Sequence, residues 1–119
     1  MQIEMFTGKL HQAAVTQCDL TYQGSITIDA DLLEASGILP YQKVDIYNIN
    51  NGARFSTYTI PGRSGSKVIG LNGAAARLAQ IGDRVIIVAF GYFEREELKD
   101  HQPKVILLNE KNEIVGEGH

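Results

Sequence analysis

The sequence predicts a small, mainly β barrel with short helices, and three observations carry that expectation. Short runs alternate apolar and polar residues at the period of a strand, as in Ser25-Ile-Thr-Ile28 and Lys43-Val-Asp-Ile-Tyr-Asn-Ile49. Turn residues separate these runs at close spacing, which favours many short strands over a few long elements. Helical patterning is confined to stretches of a turn or two. At 119 residues one domain is expected, 1–119, and about two thirds of the unfolded chain's surface can be buried, enough for a core without staples.

Taken in order, Phe6 to Thr16 alternates loosely and reads as the first strand, and Ser25 to Ile28 as the second. A brief helix through Leu32-Leu-Glu-Ala-Ser36 is capped by Asp29 or Asp31, with Gly37 at its C′ position. Lys43–Ile49 and Arg54–Ile60 form a hairpin about Asn50-Asn51-Gly52, where Asn-Gly tolerates positive φ. Pro61 to Ser66 is a surface loop and Val68 to Leu71 a further strand. Asn72-Gly-Ala-Ala-Ala-Arg-Leu-Ala79 reads as a helix capped by Asn72. Asp83–Phe93 and Lys104–Leu108 are the last strands, separated by a polar helical turn from Glu94 to Lys99 that ends before Pro103. No stretch reads as a linker, a repeat or a low-complexity tract.

Composition excludes several classes of function. Hydrophobic residues at 44% and charged residues at 21% are ordinary for a soluble globular protein. A net charge of −3 without a long basic run argues against nucleic acid as a partner. Cys18 is the one cysteine, so there is no intrachain disulfide and no thiolate pair for zinc, and it reads as a small buried residue. His11, His101 and His119 lie far apart and lack metal-ligand spacing, so no metal is expected. The N-terminus has no basic segment followed by an apolar one, and the longest apolar runs, such as Val85–Phe90, are too short to span a bilayer. A cytoplasmic protein with no membrane partner is the expectation.

The chemistry-bearing residues fall in four groups. Gly24-Ser25 opens a strand where β-branched residues would be usual. On its own the pair is a turn. Held in a strained turn, however, the Ser25 hydroxyl can attack the preceding carbonyl, which glycine leaves unshielded. That attack turns the amide into an ester by an N→O acyl shift, and elimination then splits the chain and leaves a pyruvoyl group. Arg54, Ser56 and Tyr58 share one strand face, and Phe55, Thr57 and Thr59 the other. Arg54 is suited to a bidentate carboxylate contact and Tyr58 to proton delivery, whereas Thr57 points away from both unless a bulge intervenes. The plain alternative is an exposed face with an arginine stacked on a tyrosine. Lys9 and His11 also share a face and could supply positive charge to an acidic substrate, although taken alone they read first as a solvated edge strand. The Gly73-Ala74-Ala75 start of the predicted helix leaves backbone N–H groups unscreened, which favours an anion.

In combination and order these residues are more specific than any one of them. Tyr22-x-Gly24-Ser25-Ile-Thr-Ile-Asp29, Asn51-Gly52-x-Arg54-Phe-x-Thr57-Tyr58, Leu71-Asn72-Gly73-Ala-Ala-Ala-Arg77 and Gly82-Asp83-x-Val85-Ile-Ile87, preceded by Lys9-x-His11, closely resemble the pyruvoyl-dependent aspartate decarboxylase family of pantothenate biosynthesis. The resemblance runs essentially end to end. It implies a six-stranded double-psi β-barrel, a homotetramer with active sites between subunits, and self-cleavage into chains 1–24 and 25–119. It implies conversion of L-aspartate to β-alanine and CO₂ by a pyruvoyl group derived from Ser25, which forms a Schiff base with the substrate. It further implies Tyr58 as proton donor and Thr57 as the residue that assists cleavage at Gly24 and Ser25. Lys9, Arg54, Thr57, Asn72, Gly73, Ala74 and Ala75 would bind substrate, with His11 and Tyr22 as auxiliaries. Arg54 is expected to hold the carboxylate that stays, because tight ground-state pairing of the departing one would raise the barrier. The partners implied are L-aspartate, further copies of the chain and, where cleavage is assisted, a maturation factor.

Two other classes compete on the residues alone. One is a small β-barrel binding module without catalysis. The other is a swapped-hairpin barrel that binds DNA, against which the acidic balance argues.

Overall fold

The computed structural model describes residues 1–118, so His119 lies outside the described residues. Nine strands are present among them: β1 Gln2–Ala14, β2 Gln17–Asp19, β3 Ser25–Asp29, β4 Lys43–Asn48, β5 Arg54–Gly62, β6 Ile69–Asn72, β7 Arg84–Glu94, β8 Lys104–Leu108 and β9 Ile114–Glu117. One α-helix, α1, spans Ala30–Ser36, and two 3₁₀ helices span Gly73–Leu78 and Arg95–Asp100.

The strands form one sheet in the order β2-β6-β3-β5-β4-β7-β1-β8-β9. β1 and β2 are separated only by Val15 and Thr16, so they are consecutive pieces of one bent strand. Thr16 bridges the join, its N–H donating to the Ile69 carbonyl at 2.8 Å while its Oγ1 accepts from the Ile69 N–H at 3.0 Å. The ladder that starts at β2 and reaches β1 therefore returns to the same chain segment. Counting β1 and β2 together, six strands close on themselves, and the β8–β9 hairpin lies outside that ring. The mainly β barrel expected from the sequence is thus what forms, and its six-strand closure agrees with the double-psi architecture that the resemblance implies.

Alternation sets what faces inward. In β4, Val44, Ile46 and Asn48 are buried while Lys43, Asp45 and Tyr47 face out. Leu10, Ile26, Ile28, Leu32, Ile46, Ile69, Leu71 and Ile87 fill the core, each worth about 1.5–3 kcal/mol on burial. Helix α1 is capped by Asp29, whose Oδ1 accepts from the Asp31 N–H at 2.8 Å, and ends at Gly37 with φ 73°. Of the two expected caps, Asp29 is the one used.

Several boundaries differ from expectation for identifiable reasons. β1 begins earlier, at Gln2, because β7 pairs with it from Gln2↔Glu94 onward. It is not an edge strand at Lys9 and His11, since β8 pairs along its other side from Gly8 to His11. In the β4–β5 connection only Gly52 takes positive φ, at 76°, and Asn50 and Asn51 act through side chains instead. Pro61 and Gly62 belong to β5 and not to a loop. β9, in the tail after Leu108, is recruited by β8 across a turn at Asn112, where φ is 59°. Cys18 is half-buried, packing against the core with its Sγ 3.6 Å from the Ala79 carbonyl; burial and the nearby Asp83 charge push its thiol pKa up.

Candidate active site

β3 begins at Ser25, and β6 runs antiparallel beside it and ends at Asn72, so register places these two residues opposite each other. Both are buried, Ser25 at 1% and Asn72 at 4% exposure. The Asn72 carboxamide donates from Nδ2 to Ser25 Oγ at 2.9 Å and to Thr27 Oγ1 at 3.0 Å. Ser25 Oγ in turn lies 3.4 Å from the Gln23 carbonyl oxygen, to which it donates.

This changes the role expected for Asn72. It occupies the N-cap position of the following helix but makes no capping bond there. Its side chain is engaged at Ser25 instead. The helix is moreover a 3₁₀ helix of six residues, too short for an argument from an α-helix dipole.

After Asn72 the chain reverses at Gly73, with φ 67°. A Cβ on Gly73 would lie 2.8 Å from Gly24 Cα, 2.9 Å from Gly24 N and 3.1 Å from the Tyr22 carbonyl oxygen. Only glycine lets this loop press against the backbone of residues 22–24. Gly24 is different: it is not among the left-handed residues, and a Cβ there would meet only the Asn72 carbonyl oxygen, at 4.0 Å. A left-handed φ at Gly24 is thus not found, and a side chain there would meet little. The positive φ sits at Gly73 instead.

A cleft of about 290 Å³ opens at this point, lined by Gly24, Phe55, Ser56, Thr57, Asn72, Ala74, Ala75 and Leu78. Of the predicted site residues, Gly24, Thr57, Asn72, Ala74 and Ala75 line it, Ser25 adjoins it through its bond from Asn72, and Gly73 and the Tyr22 backbone pack against Gly24.

Arg54, Tyr58, Lys9 and His11 lie apart from this group. Arg54 and Tyr58 face outward from β5, opposite to Thr57, as the strand period requires. Arg54 lies 3.8 Å from the Tyr47 ring centroid, its cross-strand neighbour. An arginine on a tyrosine was the plain reading of this face, and the structure contains one. Asp45 completes the outer cluster, accepting from Ser56 Oγ at 2.7 Å and from the Tyr47 hydroxyl at 3.3 Å. Burial, then the Asp45 charge, push the Tyr47 pKa up, with Arg54 acting the other way. Lys9 lies on β1 with its ammonium 5.2 Å from the Phe6 ring centroid, and His11 pairs with Leu107 of β8.

Sequence reasoning missed Tyr47, Asp45 and Thr27. The first was within reach, since a hairpin about Asn50–Asn51 sets Tyr47 opposite Arg54. Thr27 carried the weaker signal of lying two residues from Ser25 on one strand face.

Among the described residues no cluster of three or more histidine, cysteine, aspartate or glutamate side chains could hold a metal ion. No helix in them is long and apolar enough to cross a membrane.

Comparison with known proteins adds the decisive observation. The family model described as aspartate decarboxylase matches residues 1–115. The chain belongs to the aspartate decarboxylase family. It is 60% identical over 115 residues to the aspartate 1-decarboxylase of Carboxydothermus hydrogenoformans, covering 97% of this chain and 91% of that one. The aspartate 1-decarboxylase of Maricaulis maris is 56% identical over 115 residues, 97% of this chain and 95% of its own. That of Listeria monocytogenes serotype 4a is 58% identical over 110 residues, 92% and 87% of the two chains. Membership of this family sets aside the non-catalytic barrel and the DNA-binding barrel.

Proposed function

We propose that this chain decarboxylates L-aspartate to β-alanine and CO₂, using a carbonyl made from its own Ser25, as a cytoplasmic homotetramer in pantothenate biosynthesis. The observation that carries the reading, beside family membership, is a buried serine hydroxyl held by Asn72 directly after a glycine, which brings no side chain of its own to its carbonyl.

Maturation then follows from the residues at hand. Ser25 Oγ bonds to the Gly24 carbonyl carbon, the Gly24–Ser25 C–N bond breaks, and the hydroxyl proton ends on the Ser25 nitrogen. Thr57, on the cleft wall with Gly24, is the candidate to support the oxyanion formed on the way. Loss of the Ser25 α-proton expels Gly24 as a carboxylate, with cleavage of the Cβ–Oγ bond. Hydrolysis of the resulting enamine consumes one water and releases ammonia. The products are chain 1–24 and a chain that starts with a pyruvoyl group at position 25.

The residues present fit such a group, because position 25 is buried and its neighbours Gly24 and Asn72 line the cleft. When formed, the pyruvoyl carbonyl supplies an electron sink that amino-acid decarboxylation requires. Arg54 and Lys9 supply the charge that a dicarboxylate needs, with Arg54 on the carboxylate that stays. Tyr58 delivers a proton to the carbon from which CO₂ departs. Asn72 and the Gly73–Ala75 backbone border the substrate's space, with His11 and Tyr22 as auxiliaries.

Arg54 and Tyr58 face away from the cleft of their own protomer. An active site between copies, with the outer face of one β5 closing the cleft of another chain, brings both sets together. A maturation factor is an optional further partner.

The test is intact mass under denaturing conditions on wild type and Ser25→Ala. Wild type should give two fragments meeting at Gly24/Ser25, the longer without a free amine. Ser25→Ala has no hydroxyl to attack and should stay a single chain with an unchanged fold. Cleavage of that bond in Ser25→Ala would refute the N→O shift.

A further inference from the structure

We propose that Thr27 is a positioning residue for cleavage of the Gly24–Ser25 bond: it holds the Asn72 carboxamide on the Ser25 hydroxyl. The inference rests on the maturation chemistry above and extends it to a residue outside the cleft wall.

A carboxamide nitrogen carries two hydrogens. In Asn72 one goes to Ser25 Oγ at 2.9 Å and the other to Thr27 Oγ1 at 3.0 Å. Held by one bond, the planar amide could swing about that contact. Held by two acceptors spaced along one strand, both its position and its plane are fixed. Ser25 and Thr27 are those two acceptors because they are two residues apart on the same face of β3.

The Thr27 hydroxyl is itself aimed by packing. β5 and β6 flank β3, with Ile60 and Gly70 opposite Thr27. Gly70 puts no side chain between Thr27 and Asn72. On the other flank, the Thr27 methyl lies 3.1 Å from where a Cβ on Gly62 would stand. The methyl is seated against Gly62 on the β5 side, and the hydroxyl is turned toward Asn72 on the β6 side. A β-branched side chain has few χ1 choices, so seating one branch directs the other.

The consequence falls on the reacting oxygen. As Ser25 Oγ gives up its proton, negative charge grows on it, and an N–H already directed at it becomes a charge-assisted donor. Thr27 is not among the residues that line the cleft. It acts by keeping that donor in place.

The experiment follows conversion of freshly isolated full-length chain to fragments by intact mass, between pH 6 and 9, with thermal melts on the same samples. The variants are Thr27→Val, Thr27→Ser and Thr27→Ala, each also in an Asn72→Ala background. Loss of one hydrogen bond's positioning corresponds to about 2- to 12-fold slower cleavage in Thr27→Val and Thr27→Ala, across the pH range. Thr27→Ser keeps the acceptor and should stay within about twofold of wild type. In the Asn72→Ala background, Thr27→Val should add no further slowing, because there is no amide left to hold; a general loosening of the fold would add it. Wild-type rates in both Thr27→Val and Thr27→Ala, or equal slowing with and without Asn72, would overturn the proposal while leaving self-cleavage standing. A wild-type chain that never cleaves would remove the maturation reading itself, and this inference with it.

Discussion

The two faces of β5 are built in opposite ways. Phe55, Thr57 and Thr59 turn inward, and Thr57 joins a cleft whose other walls are fixed within the same protomer by register and by a close backbone approach. Arg54, Ser56 and Tyr58 turn outward; Arg54 meets Tyr47, Ser56 bonds Asp45 and also reaches the cleft, and Tyr58 stays 43% exposed. The cleft that the inner face walls lies beside a buried hydroxyl, Ser25, held by Asn72. The outer face has charge and proton-donating groups, and its own hollow of about 170 Å³ at Asp45, Tyr47 and Arg54 does not include Ser25. On the proposed function, making the catalytic carbonyl and using it would be separable tasks, the first within one chain and the second between chains.

Tyr58→Phe tests that separation with the largest effect on turnover. Phenylalanine keeps the ring and its packing, and nothing on the inner face depends on the hydroxyl. Cleavage should proceed as in wild type, while CO₂ release coupled to β-alanine formation should fall roughly 10²–10⁴-fold, the range for a lost general acid. Mass and turnover are measured on one sample. An uncleaved variant would move Tyr58 into maturation, and normal turnover would strip it of the proton-donor role. Hybrid oligomers of Ser25→Ala and Tyr58→Phe chains sharpen the comparison. If sites lie between copies, some combine an intact position 25 with an intact Tyr58, and activity should reappear on mixing.

Arg54→Lys keeps the charge of the outer face and removes its geometry. A guanidinium fixes a carboxylate in a plane and stacks on Tyr47, whereas an ammonium does neither. One charge-assisted hydrogen bond is worth about 1.5–3 kcal/mol, so kcat/KM for aspartate should fall about 10- to 150-fold with cleavage unaffected. A wild-type kcat/KM would mean that Arg54 does not clamp substrate.

What could be read from the sequence divides along the same line. The outward set of Arg54, Ser56 and Tyr58 and the inward Thr57 followed from the strand period alone, because side-chain direction in a strand is local. The cap at Asp29 and the stop at Gly37 were legible for the same reason. Asn72 was misread because its sequence context favours a cap, and only the β3–β6 pairing reveals the hydroxyl that competes for its amide. Closure of the barrel was equally hidden. It depends on Val15 and Thr16 carrying one strand from β7 and β8 across to β6, and a non-local pairing leaves no period in the sequence. The family resemblance supplied from pattern what local physics could not.

Gly73→Ala attacks the inner face by shape. The new methyl would stand 2.8 Å from Gly24 Cα, a contact with backbone that cannot swing away, at a φ of 67° that alanine resists. Overpacking of this kind costs about 1–3 kcal/mol, so Tm should fall by several degrees, and cleavage should slow as residues 22–24 are displaced. Replacing Gly52, whose φ is also positive but which meets nothing within 4 Å, separates strain from collision. Gly52→Ala should lower Tm without slowing cleavage. Equal slowing in both would deny that contact with Gly24 matters.

The smallest effect appears only in acid, at the far end of β3. Asp29 is fully buried, and burial by itself would raise its pKa. Its carboxylate, however, accepts backbone N–H bonds from Asp31 at 2.8 Å, Lys67 at 2.8 Å and Gly65 at 3.1 Å, and with the Lys67 charge these win, so the pKa is lowered. The folded state then binds the proton less readily than the unfolded chain does. Stability from this group is complete above the unfolded value of about 3.9 and is lost as pH falls through the lower folded value. Tm of wild type should therefore decline below about pH 4. Asp29→Asn should be less stable at neutral pH, since an amide nitrogen would face a backbone N–H in at least one of these contacts, and its acid decline should be shallower. Melts between pH 2 and 7 decide it, and parallel curves for the two proteins would show that another carboxylate governs the acid limb. The cleft end of β3 contains no comparable carboxylate among its hydrogen-bonding partners, which are the Asn72 amide and the hydroxyls of Ser25 and Thr27. Acid should thus loosen the α1 cap and the loop through Gly65 and Lys67 before it disturbs the geometry at Ser25. Amide exchange at residues 65–67 should rise with acidification ahead of exchange at residues 25–27.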